Sequence, residues 1–105
     1  MATELVRDFK LGDTYILSGR LNTGASIAGY QIRSQIKYGD ILVKELIVNI
    51  TNAATGDYQS LPVPPAETAA WPLADLTSDV EFTDTNGTVF STETFIIRTH
   101  KDITL

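Results

Sequence analysis

Trp71-Pro72-Leu73, residues 76–82, Asp84-Thr85-Asn86-Gly87 and residues 89–97 form the passage whose reading decides the fold. Leu76, Ser78, Val80 and Phe82 share one parity, opposite Asp79, Glu81 and Thr83. A period of two, apolar against polar, marks a strand with one buried and one wet face. Thr85-Asn86-Gly87 fits a type I turn whose left-handed position falls on Gly87, where no Cβ opposes it. Beyond the turn, Val89, Phe95 and Ile97 share parity, but Ser91 and Glu93 fall between them. A bulge within residues 91–94 reconciles that pattern. The passage therefore predicts a closing β-hairpin. Just before it, Pro64-Pro65 and residues 66–71 read as one or two helical turns, with Pro65 at the first helical position and Pro72 as the stop. That places Trp71, the only tryptophan, as a lid on the open end of the core.

Working outward, the first half reads the same way. Residues 5–9 are a short strand and Leu11-Gly12-Asp13 a turn. Residues 14–21 are a strand with Tyr15, Leu17 and Leu21 on one face and Thr14, Ser18 and Arg20 on the other. Residues 30–38 alternate throughout: Tyr30, Ile32, Ser34, Ile36 and Tyr38 against Gln31, Arg33, Gln35 and Lys37. Gly39-Asp40 turns the chain, and residues 41–50 return as the hairpin partner. Two registers compete. A two-residue loop places Ile36 opposite Val43 and Ile32 opposite Ile47. A loop one residue longer places Tyr30 opposite Ile50, Ile32 opposite Val48 and Ser34 opposite Leu46. A slip of one residue flips every side chain. The apolar count favours the longer loop, with Leu42, Leu46, Val48 and Ile50 inward. Either way Ile41, Val43 and Ile47 fall on the other face. A strand apolar on both faces is covered twice or forms a contact surface, so these three residues are the candidate protein-contact site. Residues 57–63 form a further short strand that Pro62 confines to an edge or an end.

Short strands at regular spacing with one helical insert predict a single all-β domain over residues 1–105, a small antiparallel β-sandwich. With 105 residues and no cysteine, the core has to stand without disulfides, and no thiolate metal site exists. Eight basic against thirteen acidic residues leave a net charge of -5. The basic residues are scattered, so neither nucleic acid nor an anionic membrane is an expected partner. The start, Met1-Ala2-Thr3-Glu4, lacks the basic and apolar regions of a signal peptide, and no apolar run is long enough to span a bilayer.

No residue set spells out a reaction, and no enzyme activity or cofactor is expected. His100 is the only histidine, and general-base work needs a partner set that is not evident. Asp84-Thr85-Asn86-Gly87 fails as a calcium loop: counted from Asp84, Gly87 is fourth rather than sixth and Phe95 occupies the twelfth position. The aromatic residues fall mostly at inward strand positions. A carbohydrate-binding or host-adhesion module is the alternative reading, and it needs several of them outward.

Three segments carry a family resemblance: Phe9-Lys10-Leu11-Gly12-Asp13-Thr14-Tyr15, then Ala70-Trp71-Pro72-Leu73, then residues 79–97 with Ser91-Thr92-Glu93-Thr94-Phe95. Together they resemble the immunoglobulin-like N-terminal domain of phage baseplate upper proteins and related stand-alone structural proteins of tailed bacteriophages and prophages. The resemblance covers nearly the whole chain through short, structural motifs. It implies an immunoglobulin-like sandwich and a non-enzymatic role in a virion or its tail. The chain would be made in the host cytoplasm and dock onto other phage structural proteins, as a multi-copy component or homo-oligomer. A baseplate upper protein continues into further segments, so receptor attachment is not carried over.

Overall fold

The two hairpins organise the molecule. The computed structural model describes residues 5–92 and 94–101. The strands are β1 (Leu5–Lys10), β2 (Ser18–Arg20), β3 (Gln31–Tyr38), β4 (Ile41–Asn52), β5 (Asp57–Ser60), β6 (Asp75–Thr83), β7 (Val89–Ser91) and β8 (Phe95–His100). One short helix, α1 (Pro65–Thr68), lies between β5 and β6. The protein is all-β apart from that turn of helix. The strands join in the order β1-β8-β6-β3-β4-β5-β2, with β7 on β6.

The β3–β4 hairpin resolves the two competing registers by using both. At the tip Tyr38 pairs with Ile41 and Lys37 with Leu42, the two-residue loop. Farther along, Ile36 pairs with Lys44 and Ser34 with Leu46, the register expected for the longer loop. The extra residue is Val43, which sits in a β-bulge rather than in the turn. A bulge bends its strand and raises the local twist. That allows the long β4 to leave one part of the sheet and enter another: its first half pairs with β3, and its second half, from Val48, pairs with β5. The sheet curls, and Tyr58 of β5 meets Phe82 of β6 edge-on across the core at 5.5 Å.

The closing hairpin also contains its expected irregularity. β7 pairs with β6 through Glu81 and Ser91, and β8 pairs with the same edge of β6 through Ser78 and Phe95. Three steps along β6 thus face four along the return strand. At the interruption the Val80 N–H donates to Thr92 Oγ1 at 3.0 Å, and the Thr92 N–H donates to the Val80 carbonyl at 2.9 Å. Parity flips across the gap. Val89 is therefore exposed, while Phe90 stacks on Phe82 at 5.5 Å. The turn is as expected: Asp84 Oδ1 accepts from the Asn86 and Thr88 N–H groups, and Gly87 has φ +84°.

One pairing departs from the antiparallel expectation. β1 runs parallel to β8, with Leu5 opposite Phe95 and Lys10 opposite His100. The sheet is therefore mixed. The predicted strand over residues 14–21 is shorter than expected: only Ser18–Arg20 forms regular ladder pairs, with Tyr15 bridged to Val63. The inward assignments hold nonetheless, because Tyr15 and Leu17 are buried.

Core burial follows the alternation. Ile32, Ser34 and Ile36 of β3 and Leu76, Ser78, Val80 and Phe82 of β6 are all buried. Each large apolar side chain among them contributes about 1.5–3 kcal/mol by leaving water. The two serines are polar groups in that interior, and both are satisfied. Ser34 Oγ donates to the Asp79 carbonyl at 2.7 Å, and Ser78 Oγ donates to the Gln35 carbonyl at 2.8 Å. Trp71 is 6% exposed and packs against Phe9 and Tyr15, with ring centroids 5.7 and 5.5 Å away. The helix is tied to the first turn by Thr68, whose Oγ1 donates to the Asp13 carbonyl and accepts from the Gly12 N–H.

The opposite face of the sheet is charged. Arg33 pairs with Glu45 at 2.8 Å and Arg98 with Asp75 at 2.9 Å, while Arg20 pairs with Asp57 at 2.7 Å on the far edge. Hydrogen bonds from these guanidiniums hold Glu45, Asp57 and Asp75 below the ordinary carboxylate range. The sign of the linkage follows. The unfolded carboxylates take up protons first, so the stabilisation is present above their unfolded pKa values and is lost as pH falls through the depressed folded ones. All three groups are solvent-exposed, so the effect is small and screened by salt. Thermal melts from pH 7 down to pH 2 are expected to show Tm falling only below about pH 4.5, less steeply at high salt. A Tm that rises on acidification contradicts these pairs.

Candidate functional site

The expected contact residues lie where β4 bulges, and the bulge separates them. Ile41 is 67% exposed and Ile47 63% exposed. Val43 is only half-buried and packs against the core. The expectation that all three share one face is corrected. Ile47 is paired with Arg33 and so belongs to the charged face. Ile41 is paired with Tyr38, whose parity is that of the buried Ile36. Val43 is the unpaired bulge residue between them. For the same reason Leu42, expected inward, is 50% exposed: the bulge reverses its parity relative to Leu46.

Two apolar surfaces result. The first is the hairpin tip, where Tyr38, Ile41 and Leu42 flank the Gly39-Asp40 turn and all three are exposed. The second pairs Ile47 with Leu61, also exposed, which the sequence reading missed. The Leu61 N–H donates to the Ile47 carbonyl at 2.8 Å, which sets the two residues side by side. A hollow of about 140 Å³ beside them is lined by Lys44, Glu45, Leu46, Pro62 and Val63. The signal for Leu61 was present but weak: a large apolar residue directly before a strand-ending proline. Lys44 leans from the bulge to α1, where its ammonium meets Glu67 at 2.7 Å, and so braces the base of the hairpin.

His100 Nε2 lies 2.8 Å from Asp8 Oδ1 on the charged face, both open to solvent. That is a surface pair across β1 and β8. Asp79 and Glu81 line a shallow polar hollow with Arg33 and Gln35, on the wet face as expected. Among the described residues no three His, Cys, Asp or Glu side chains gather to hold a metal ion. No helix of the described residues is long and apolar enough to cross a membrane. Tyr15, Tyr58, Trp71, Phe82 and Phe95 are all buried, which leaves few rings to form a sugar-stacking platform. Burial pushes the Tyr15 and Tyr58 hydroxyls up from their ordinary pKa.

No family model matches the chain, and no curated protein matches its sequence.

A larger cleft lies where the curled sheet fails to close. Among the described residues β1 and β2 end the strand order, each paired on one side. Between them is a space of about 370 Å³ lined by Leu5, Arg7, Leu17, Gly19, Tyr58 and Phe95 among others. Arg7 faces inward on its edge strand, with its guanidinium 4.9 Å from the centre of the Phe95 ring. A charge turned inward on an edge strand discourages indiscriminate strand pairing there.

Proposed function

We propose that this chain is a non-enzymatic structural protein that works by protein–protein docking, used in several copies in the virion or tail of a bacteriophage or prophage. The observation that carries the docking part is the exposed apolar tip of the β3–β4 hairpin. Tyr38, Ile41 and Leu42 are exposed within five consecutive residues, on a chain otherwise well supplied with charge. A cluster of that kind is stable in water but favourable to cover, and contact surfaces are built from such clusters. The phage setting and the immunoglobulin-like kinship rest on the resemblance at residues 9–15, 70–73 and 79–97.

Two measurements test the reading. Ile41→Asp is expected to weaken association at least about tenfold, because it places a charge where apolar contact is made. Its Tm should stay within about 2 °C of the parent, since exposed positions contribute little to folding. Sedimentation over a concentration series reads the first effect and a thermal melt the second. Mass spectrometry of particles from an induced lysate is expected to find the chain in purified virions. A lysate rich in particles that lack it overturns the phage role.

A further inference from the structure

The hairpin tip and the open cleft are a knob and a hole on one chain. We propose that the β3–β4 tip of one copy seats in the cleft between β1 and β2 of the next, with Asp40 meeting Arg7. This rests on the reading of the chain as a self-docking, multi-copy protein and names the surfaces used.

Size and polarity agree first. The cleft holds about 370 Å³, more than twice the roughly 150 Å³ of an engineered apolar cavity that takes up benzene. Its floor is apolar, from Leu17, Val80 and Phe95, and Leu5 stands half-covered at its mouth. The tip offers Tyr38, Ile41 and Leu42, enough to fill such a space with two large side chains.

Charge then selects the occupant. Arg7 makes no ion pair with any described residue, whereas Arg20, the other arginine at the cleft, is held by Asp57. Asp40, at the apex of the tip, likewise has no ion-pair partner among the described residues. Lys37, the nearby base, lies on the outer face in a hollow with Gln35, Thr77 and Asp79. An unpaired acid on an apolar knob therefore faces an unpaired base in an apolar hole. On a chain of net charge -5, copies repel one another broadly, so a local pair of opposite sign decides which surfaces meet. Knob and hole are different surfaces, so copies docked this way extend into a ring or a filament, or close as a two-fold pair in which each tip fills the other's cleft.

The test is a charge exchange. Wild type, Asp40→Arg, Arg7→Asp and the double exchange are compared by sedimentation velocity from micromolar to millimolar concentration, with circular dichroism confirming that each is folded. Wild type is expected to form dimers or larger species as concentration rises. Each single exchange opposes like charges and is expected to weaken assembly at least about tenfold, and the double exchange to recover most of it. Assembly that survives both single exchanges overturns the tip-in-cleft contact and leaves the docking reading standing. A wild type that stays monomeric throughout overturns the tip-in-cleft contact together with self-docking. Loss of assembly in Ile41→Asp alongside unchanged assembly in both exchanges assigns the tip to some other surface and also overturns the contact.

Discussion

Trp71→Ala is expected to lower stability by about 3–5 kcal/mol, the largest effect of any single side-chain truncation here. The ring is 6% exposed and touches both Phe9 and Tyr15. It joins three parts of the chain: β1, the segment before β2, and the corner after α1. Removing it leaves a cavity under all three. At about 4–8 °C of Tm per kcal/mol for a domain of this size, the melt should shift down by at least about 12 °C. A chain near the low end of ordinary domain stability, about 5 kcal/mol, would keep only about 0–2 kcal/mol. Trp71→Phe separates packing from polarity. The indole Nε1–H is buried and has no hydrogen-bond partner among the described residues. A buried donor left unpaired costs about 1–3 kcal/mol, and phenylalanine removes that cost while keeping much of the ring. The Phe variant should therefore lose less than about 1.5 kcal/mol. Denaturant melts followed by circular dichroism measure both, since the chain's only tryptophan is gone. A Phe variant as unstable as the Ala variant contradicts the idle N–H.

Gly56→Ala is the second large effect, expected to cost about 3 kcal/mol from two sources that add. Gly56 has φ +83°, a conformation that costs a residue with a Cβ about 1–2 kcal/mol. An added Cβ would also stand 1.9 Å from the Leu21 carbonyl oxygen, which is backbone and has little freedom to move. The Leu21 N–H donates to the Gly56 carbonyl at 2.9 Å, so relieving the clash strains the very bond that holds the two segments together. Overpacking of this kind adds about 1–3 kcal/mol. Gly87→Ala is the control. Its φ is +84°, but nothing lies within 4 Å of the added Cβ, so only the conformational part is expected, about 1–2 kcal/mol. Equal losses at the two positions would show that the close approach to Leu21 carries no weight.

Much of the fold could be read in the residues, and what escaped has a physical cause. The alternation of residues 31–37 and 76–82 forecast which side chains are buried, down to Ser34 and Ser78. The pairing of Ser34 with Leu46 followed from counting inward apolar residues. The bulge at Val43 did not, because valine packs equally well in a ladder or beside one, and nothing in its chemistry marks the extra residue. The misplacement of Leu42 and the false common face for Ile41, Val43 and Ile47 both follow from that one hidden residue. The irregularity before Phe95 was visible because Ser91 and Glu93 broke an apolar parity. The parallel pairing of β1 escaped for another reason. Turn chemistry at Leu11-Gly12-Asp13 speaks only of local reversal, and no local pattern names a partner at the far end of the chain. Of the proposed docking surface, the exposure of Ile41 and Ile47 was legible. Their neighbours Tyr38 and Leu61 became evident only once pairing set them beside those residues.

The parallel pairing has a consequence for how the chain comes into being. Asp8 and His100, hydrogen-bonded on that pair of strands, are 92 residues apart in sequence. During synthesis β1 emerges first and β8 last. At about 5–20 residues per second, β1 waits roughly 5–20 s before its partner strand β8 is made. Through that interval Leu5, Phe9 and the future seat of Trp71 have no completed sheet to join. The hairpin of β3 and β4 closes early from local contacts, while the β1–β8 pair has to wait until every strand between them has been made. Order of assembly is thus imposed by topology: of the described strands, the last made is the one that captures the first.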